Sequence, residues 1–386
     1  MRPLHFLLTL SCCAFIAVTA RAQTPAPFYV PQNSSYQVLL SHENLPDKRY
    51  LAFPASVQLD RERILITFKR GSSHGGDQEA DADALILNTK TNQVLEHIKL
   101  GHLSGKIFQL TVPVMLSDGS IQLYTDLQNR GHDGRNYRDG ILFSTLKPPY
   151  KTTSEWKKLP VIDGIEYGYA FDFIVEGKTV YMLAMSFGYR PGGKWSVAVL
   201  RSDDGANGWK FVKDITQALG GGPINESAFV RKGKDFFVVC RGYQTQATRI
   251  ARFDQDFKLL GAADLTGENR PLGYNIIGWP RIFLKDDQLY VLGRVYPHFP
   301  KKITTPTGKD MRLGLVRINA ESLEIEKVSL LDNAYGDLPV SDAYYAAYYW
   351  NESGGVSWFN TITYRKIGDA AAPDLVRIAF PWDEVR

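Results

Sequence analysis

Three side chains have the type and the setting that acid–base or anion-binding chemistry needs. His74 lies in the turn Ser72–Gly76, whose small residues suit the placing of a side chain in a pocket. Arg241 follows the hydrophobic segment Phe236–Cys240, so its charge is expected to emerge at a rim or channel rather than in the core. Glu226 follows a Gly-rich turn and precedes an apolar strand, which is also a common place for a structural turn acid.

Two further candidates lie in segments that have ordinary structural explanations. Tyr345 belongs to an aromatic run over residues 344–350, where strand alternation alone would bury half of the rings. Asp77 begins an acidic run over residues 77–83, a pattern typical of a solvated loop. A catalytic role and a structural role therefore both stay open for these two residues.

Other kinds of chemistry find little support. His74, His102 and His132 match no compact zinc spacing. No Gly-rich phosphate loop follows a strand and opens a helix, and no Gly-x-Ser-x-Gly elbow occurs. Cys240 lies within a hydrophobic strand and is expected to be a core residue. We therefore predict neither a metal site nor a cofactor.

The elements that must position these side chains are short strands separated by polar turns. The turns recur at intervals of about 50 to 60 residues, and long amphipathic helical stretches are absent. A tight turn feeding an inner strand at that interval is typical of four-stranded propeller blades. The sequence predicts an all-β fold, a six-bladed β-propeller of antiparallel blades. The strands that follow the turns are Ile64–Phe68, Ser120–Tyr124, Val180–Ala184, Phe236–Cys240, Leu289–Leu292 and Val356–Thr361.

The ends of the chain carry two further predictions. The sequence begins with the pattern of a signal peptide, which we place over residues 1–22: a positive charge at Arg2, the apolar run Leu4–Val18 and a small-residue cleavage site at Ala20–Ala22. A signal peptide predicts a periplasmic or secreted protein. Residues 23–386 are then a single propeller domain. Val376–Phe380 is expected to pair with Tyr36–Leu40 and close the ring, because closure removes exposed sheet edges.

Composition limits the partners. The formal net charge of the 386-residue chain is only +4, and no run of lysine or arginine occurs. Neither nucleic-acid binding nor membrane insertion is predicted, and the oligomeric state is not predicted from the sequence.

Several motifs resemble those of sialidase-like propellers. Ser202-Asp203-Asp204-Gly205 with Trp209 resembles their Asp box, in which an Asp caps a hairpin turn and a Trp packs between blades. A calcium loop is the alternative, but further spaced acidic ligands are lacking. The remaining resemblance covers nearly the whole chain after residue 22, through segments in the same order. These segments are Phe68-Lys69-Arg70 with His74, Asn225-Glu226-Ser227 with Arg241, Gly278-Trp279-Pro280-Arg281 with Gly293-Arg294, and Ser341-Asp342-Ala343-Tyr344-Tyr345.

The resemblance implies roles for the candidates. Tyr345 corresponds to the nucleophilic tyrosine, and Glu226 to the carboxylate that accepts its proton. Asp77 falls near the position of the acid/base residue of sialidases. Arg241, with Arg294 or Arg312, would clamp the carboxylate of an acidic sugar.

One departure weakens the sialidase prediction. Sialidases carry an Arg-Ile-Pro triplet in the first blade, and here the triplet is Ala52-Phe53-Pro54. Arg49 or Arg70 are the candidates to replace the missing arginine.

Three functions therefore stay open. The first is an exo-acting glycoside hydrolase on an acidic sugar. The second is a lyase on uronate chains, in which His74 or a tyrosine removes the proton beside the carboxylate. The third is a carbohydrate-binding propeller that uses Trp279, Tyr296 and Trp350 as stacking platforms.

Overall fold

The computed structural model describes most of the chain beyond residue 27. The described residues are 28–134, 136–186, 195–243, 246–267, 270–273, 276–297, 311–332 and 340–386. The predicted signal peptide over residues 1–22 lies outside them.

The described residues form six antiparallel four-stranded blades, as predicted. Blade 1 contains β3 to β6, at Tyr50–Gln58, Arg63–Gly71, Asp81–Asn88 and Val94–Gly101. Blade 2 contains β7 to β10, at Ile107–Met115, Ile121–Arg130, Asn136–Leu146 and Lys157–Lys158. Blade 3 contains β11 to β14, at Tyr167–Glu176, Thr179–Ser186, Ser196–Ser202 and Lys210–Asp214. Blade 4 contains β15 to β18, at Ile224–Lys232, Asp235–Gly242, Arg249–Phe253 and Leu259–Asp264. Blade 5 contains β19 to β22, at Gly278–Lys285, Gln288–Val295, Arg312–Ile318 and Ile325–Leu330. Blade 6 contains β23 to β25, at Val340–Ser353, Val356–Ile367 and Asp374–Pro381, and is completed by β2 at Ser35–Leu40.

The first strand of each blade surrounds the central channel. Each of these strands contacts the first strand of the next blade, and β23 contacts β3 to complete the circle. The predicted polar turns lead out of these inner strands, so the hydrophobic segments that follow them are second strands. Placing those segments next to the channel was wrong by one strand, because the second strands are covered on both faces and are therefore the more continuously apolar ones.

The ring closes as the sequence predicts. Strand β2 pairs antiparallel with β25, with Tyr36 opposite Ile378 and Val38 opposite Val376. A shorter strand, β1 at Phe28–Tyr29, continues to blade 5 and pairs parallel with β22. The N-terminal segment therefore joins the last two blades.

The core lies between the blades. Trp209 packs against Tyr124 of the neighbouring blade with ring centroids 6.4 Å apart, which confirms the inter-blade position expected for the Asp-box tryptophan. The cap of that turn differs from the expectation, because the Ser202 hydroxyl accepts from Asp204 N at 3.2 Å while Asp203 pairs with Arg201. Cys240 is fully buried, as expected of a core residue.

Among the described residues, helical structure is confined to short pieces. The described helices are α1 at Ile215–Ala218, α2 at Trp382–Val385 and a 3₁₀ turn at His42–Asn44. None of the helices in this part of the chain is long and apolar enough to span a membrane.

Candidate functional site

Every inner strand carries a β-bulge near its N-terminal end. On β15, Ile224 pairs with Gly242 and Ser227 pairs with Cys240, so Asn225 and Glu226 lie opposite a single residue. The same irregularity occurs in the other five inner strands. A bulge bends a strand and re-aims its side chains. The bulge residues that line one shared pocket are Phe53, Gln109, Leu110, Phe171, Asn225, Glu226, Trp279 and Tyr345.

Three of the bulges force an unusual backbone conformation. Phe53, Trp279 and Tyr344 have φ angles of 57°, 47° and 72°. Positive φ is uncommon for residues other than glycine, and bulky residues in this region are held there by the surrounding structure. The bulge geometry is therefore imposed by tertiary packing.

Two cavities lined by the described residues can be compared. The larger has a volume of about 590 Å³ and lies at the far end of the inner strands, beside Tyr348, Trp350 and the Arg281–Asp172 ion pair. The smaller measures about 280 Å³ and contains the convergent charged side chains, which makes it the better candidate site. Beyond the bulge residues, this smaller pocket is lined by His74, Arg138, Tyr169, Arg241, Tyr243 and Arg294.

Tyr345, Glu226 and Arg241 form the centre of the pocket. Tyr345 Oη donates to Glu226 Oε1 at 2.6 Å. Arg241 Nη1 lies 2.7 Å from the same carboxylate oxygen and donates to Tyr345 Oη at 3.1 Å. Glu226 Oε2 accepts from Trp279 N at 2.7 Å. The phenol and the carboxylate are thus held in direct proton-transfer contact.

The charges and hydrogen bonds around Tyr345, Glu226 and Arg241 determine whether the phenol or the carboxylate carries the proton between them. Burial raises the pKa of Glu226, but Arg241 and the hydrogen bonds from Tyr345 and Trp279 outweigh it, so that the pKa falls below its usual value. Burial and the charge of Glu226 raise the pKa of Tyr345. The resting state is therefore a carboxylate accepting from a neutral phenol.

Neighbouring groups hold the Tyr345 ring in place. Trp279 stacks on it with an interplanar angle of 13°, and Phe53 packs at a centroid distance of 5.4 Å. The Arg294 guanidinium carbon lies 4.7 Å from the centroid of the same ring. Arg294 itself donates from Nε to Ala343 O at 2.7 Å, so part of its donor capacity is used within the protein.

A second dyad lies beside the first. His74 Nδ1 is 2.6 Å from Asp342 Oδ2, and the His74 side chain is about half exposed. Asp342 also accepts from Tyr50, and from Arg294 at 3.1 Å. Burial raises the pKa of Asp342, but His74, Arg294 and Tyr50 lower it to below its usual value. A carboxylate at this position makes Nδ1 the donor, which leaves Nε2 for proton exchange with a ligand.

A buried cation holds the loop that carries His74. Lys69 Nζ donates to Ser73 O at 2.7 Å and to His74 O at 3.2 Å. Asp77 lies 4.0 Å from the same ammonium and accepts from Ser72 N. Asp77 is buried within this turn and does not line the pocket, so the structure places it apart from the other catalytic candidates. The acidic run it begins is not a solvated loop, because Asp81 and Asp83 are buried at the start of β5 and pair with Arg70.

We expect Lys69 to give the protein a distinctive alkaline stability profile. Burial lowers the pKa of Lys69 to about 8, although Asp77 and neighbouring carboxylates oppose the shift. The unfolded chain binds this proton up to its ordinary pKa of ~10.4, so rising pH removes a penalty that only the folded state carries. Relative to Lys69→Met, the wild type should gain about 3 kcal/mol between pH 8 and pH ~10.4.

Urea denaturation of both proteins at several pH values measures this difference. Other titrating groups are shared by the two proteins and cancel in the comparison. A difference that stays constant from pH 7 to pH 10 would contradict the assignment.

The predicted arginines divide into two groups. Arg241 and Arg294 line the pocket, whereas Arg70 and Arg312 do not. Arg70 is buried and bonds to three carboxylates, Asp47, Asp81 and Asp83, at 2.6–3.0 Å. It therefore cannot replace the missing clamp arginine, which corrects that expectation.

Arg312 and Arg49 also lie away from the pocket. Arg312 Nη1 donates to Met311 O at 2.8 Å, and Arg49 Nε donates to Leu45 O at 3.0 Å. The choice between Arg294 and Arg312 as a pocket arginine therefore falls on Arg294.

The aromatic residues proposed as stacking platforms do not form one surface. Trp279 is nearly fully buried under Tyr345, and Tyr296 belongs to the core between blades 5 and 6. Trp350 lines the opposite cavity. The structure thus separates the three rings.

Two charged residues of the site were missed by sequence reasoning, as were uncharged lining residues such as Gln109, Tyr169 and Tyr243. Asp342 lay in a quoted motif without a role, and Arg138 had no recognisable signal. Arg138 reaches the pocket from the third strand of blade 2, more than a hundred residues away in sequence from Tyr345. Only the closed ring brings the two together.

Several solved structures share the fold of this chain. A protein of unknown function from Dyadobacter fermentans has a TM-score of 0.67 at 14% identity, with 92% of this chain and 100% of that chain covered. Phage phi92 endosialidase has a TM-score of 0.66 at 10% identity, with 90% and 69% covered. A mutant of Trypanosoma rangeli sialidase displaying trans-sialidase activity has a TM-score of 0.58 at 11% identity, with 92% and 60% covered.

These likenesses define the class of protein by its fold. The chain is a six-bladed β-propeller with a polar pocket in its central channel, and its fold is that of the sialidase-like propellers, as the motifs indicated. No protein-family model matches the chain, and no curated protein matches it in sequence. Because one fold hosts many activities, the function has to be argued from the site.

Proposed function

We propose that this protein is an exo-acting glycoside hydrolase that removes a single acidic sugar and uses Tyr345 as its nucleophile. The observation that carries the proposal is the 2.6 Å hydrogen bond from Tyr345 Oη to Glu226, with Arg241 contacting both groups. A neutral phenol approaches the anomeric centre of an anionic sugar without the repulsion that a carboxylate nucleophile would meet. Tyrosine nucleophiles of this kind occur in sialidases.

The two dyads divide the proton transfers between them. Tyr345 Oη bonds to the anomeric carbon while its proton passes to Glu226, and protonated His74 gives its proton to the departing glycosidic oxygen. In the second step His74 accepts a proton from water, whose oxygen attacks the anomeric carbon. The bond between the anomeric carbon and Tyr345 Oη breaks at the same time, and Glu226 returns the first proton to that oxygen. His74, oriented by Asp342, takes the acid/base role for which the sequence had suggested Asp77.

The size of the pocket supports action at a chain end. A volume of about 280 Å³ lies just below the range of about 300–1,000 Å³ that accommodates drug-sized ligands. One sugar residue fits such a space. We therefore expect release of a monosaccharide from the non-reducing end.

A uronate lyase is the second candidate, and the His74–Asp342 contact favours it. A histidine oriented by a carboxylate is also suited to removing the proton beside a sugar carboxylate, with β-elimination of the neighbouring glycosidic oxygen. Elimination leaves an unsaturated uronate, which hydrolysis never forms. The two reactions are therefore separable by product.

A substrate panel tests the proposal. The purified protein is incubated with sialylated glycans and with uronate polysaccharides, while free monosaccharide and the ultraviolet absorbance of unsaturated uronate are followed together. The expected result is free acidic sugar without unsaturated product. A rise in unsaturated product would establish the lyase instead, and no product from any substrate would contradict both enzymatic readings for these sugars.

A further inference from the structure

The larger cavity is separate from the candidate site, with which it shares no lining residue. Arg281 lies at the partition between the two spaces. It donates from Nη1 to Phe171 O at 3.0 Å and from Nη2 to Asp172 Oδ1 at 2.5 Å. Phe171 lines the smaller pocket, whereas Asp172 and Arg281 line the larger cavity. A ligand in the larger cavity is therefore held apart from Tyr345.

Four inner strands offer unpaired backbone groups to the larger cavity. Strands β3, β7, β11 and β23 contribute the lining residues 55–58, 112–115, 172–173 and 346–350. Each of these strands ends its described sheet, so it is hydrogen-bonded to a neighbouring strand on one side only. The free edge of such a strand presents both N–H donors and C=O acceptors. A ligand that both donates and accepts satisfies more of these groups than one that does only one of the two.

The charges of the lining cancel. Arg281 and Asp172 are the charged side chains of the described lining, and they pair with each other. Asp172 is held further by Phe229 N, which donates to Oδ2 at 3.0 Å. A charged ligand would have to break this pair or enter without a counter-charge, and both are costly. The lining therefore favours a neutral ligand.

Two polar side-chain atoms of the lining are open to a ligand. Tyr348 Oη and Arg281 Nε have no hydrogen-bond partner among the described residues, and neither atom is enclosed by protein. Burial raises the pKa of Tyr348, with Arg281 opposing the shift and Asp172 adding to it, so the phenol is neutral and can donate as well as accept. Apolar side chains such as Val57 and Met115 complete the wall.

We propose that the larger cavity is a second, non-catalytic carbohydrate site that binds a neutral disaccharide. Sugar hydroxyls both donate and accept, as the strand edges require, and the C–H faces of sugar rings pack against apolar walls. The cavity measures about 590 Å³ against about 280 Å³ for the pocket, so it holds two sugar residues where the pocket holds one. The inference does not depend on the proposed function, because no residue of the catalytic pocket takes part in it.

Methionine methyl groups report binding at this position. Met115 lines the cavity, whereas Met182, Met185 and Met311 are buried elsewhere. The protein, labelled with ¹³C in its methionine methyl groups, is titrated with maltose, cellobiose and lactose, and Met115→Leu assigns the signal. We expect at least one disaccharide to shift the Met115 signal to saturation while the signals of the three buried methionines stay in place.

An acidic counterpart of that disaccharide tests the preference for a neutral ligand. In this compound a primary alcohol of the sugar is oxidised to a carboxylate. We expect it to bind at least about 10-fold more weakly than the neutral sugar, because its charge finds no free counter-charge in the cavity.

Tyr348→Phe tests the contact that the open hydroxyl would make. The variant should bind the disaccharide about 5-fold more weakly, which is the loss expected of one net hydrogen bond. Because Tyr348 Oη bonds to no described residue, the variant should fold as the wild type does. Tyr345→Phe is the matched control, since it removes a hydroxyl from the same strand but from the other pocket. Its disaccharide affinity should equal that of the wild type.

Three results would overturn the inference. The first is a Met115 signal that none of the three disaccharides shifts, which would mean that the cavity does not bind neutral disaccharides. The second is an acidic counterpart that binds as tightly as the neutral sugar. The third is an equal effect of Tyr348→Phe and Tyr345→Phe on disaccharide affinity.

Discussion

Replacing Tyr345 with phenylalanine is expected to reduce kcat by at least about 10³-fold, because the substitution removes the attacking oxygen and nothing else. The ring keeps its stack on Trp279 and its contact with Phe53, and Glu226 keeps Arg241 and the Trp279 amide. The protein should therefore fold normally and bind substrate with a similar KM. Steady-state kinetics on the substrate found by the panel measures both quantities.

Tyr348→Phe is the matched control for this prediction. Tyr348 lies on the same strand, but it faces the larger cavity at the other end of the channel. Its hydroxyl is not near Glu226, so turnover should stay within a few-fold of the wild type. Equal losses in the two variants would show that Tyr345 acts only through packing.

The second large effect is expected from Arg241→Met. Loss of the guanidinium leaves the Glu226 carboxylate buried without its cation, and breaking a buried pair in this way costs about 3–5 kcal/mol. In the wild type, Arg241 and two hydrogen bonds keep the pKa of Glu226 below its usual value although burial raises it. Without Arg241 this pKa should rise. A protonated Glu226 cannot accept the Tyr345 proton, so activity at neutral pH should fall by about 10²-fold or more.

The pH dependence separates this mechanism from simple unfolding. Because Arg241 depresses the pKa of folded Glu226, the pair stabilises the wild type above the unfolded pKa of ~4.3, and this stability is lost as pH falls through the lower folded value. In Arg241→Met the acid limb of the activity profile should move to higher pH. Chemical denaturation of the same variant measures its free energy of unfolding, so that a loss of activity can be separated from a loss of folded protein.

A double variant provides the control for Arg241→Met. Arg241→Met with Glu226→Gln removes both charges, so it should be more stable than Arg241→Met alone, although inactive. The free energy of unfolding lost in the double variant is compared with the sum of the losses in Arg241→Met and Glu226→Gln. If the two are equal, the two groups do not form an energetically coupled pair.

The fold was largely predictable because its signals are local and repeated. Polar turns followed by β-branched and aromatic segments mark each blade, and the pairing of Tyr36–Leu40 with Val376–Phe380 follows from the need to close the ring. What local signals could not show is which strand of a blade faces the channel. Second strands such as β16 are more continuously buried than the inner strands beside them, so the strongest apolar signal marks the second strand of the blade.

The site was only partly predictable because bulges break the alternation on which strand reasoning depends. Glu226 and Tyr345 enter the pocket at positions where two residues lie opposite one, and a positive φ at Tyr344 accompanies the change. Asp77 looked catalytic by its place in the motif, yet the fold uses it to cap a turn beside Lys69. Arg138 could not have been found, since its position depends on a blade that lacked any recognised motif.

Attack of Tyr345 on the sugar predicts a covalent bond between the two. The most direct measurement is mass spectrometry of the protein after incubation with a fluorinated glycosyl fluoride of the sugar identified by the panel, since such reagents form the covalent intermediate quickly and hydrolyse it slowly. We expect one sugar residue to be added to the peptide containing Tyr345, and none to be added to Tyr345→Phe. An adduct on another residue, or a wild-type protein that turns over the natural substrate without forming any adduct, would contradict attack by Tyr345.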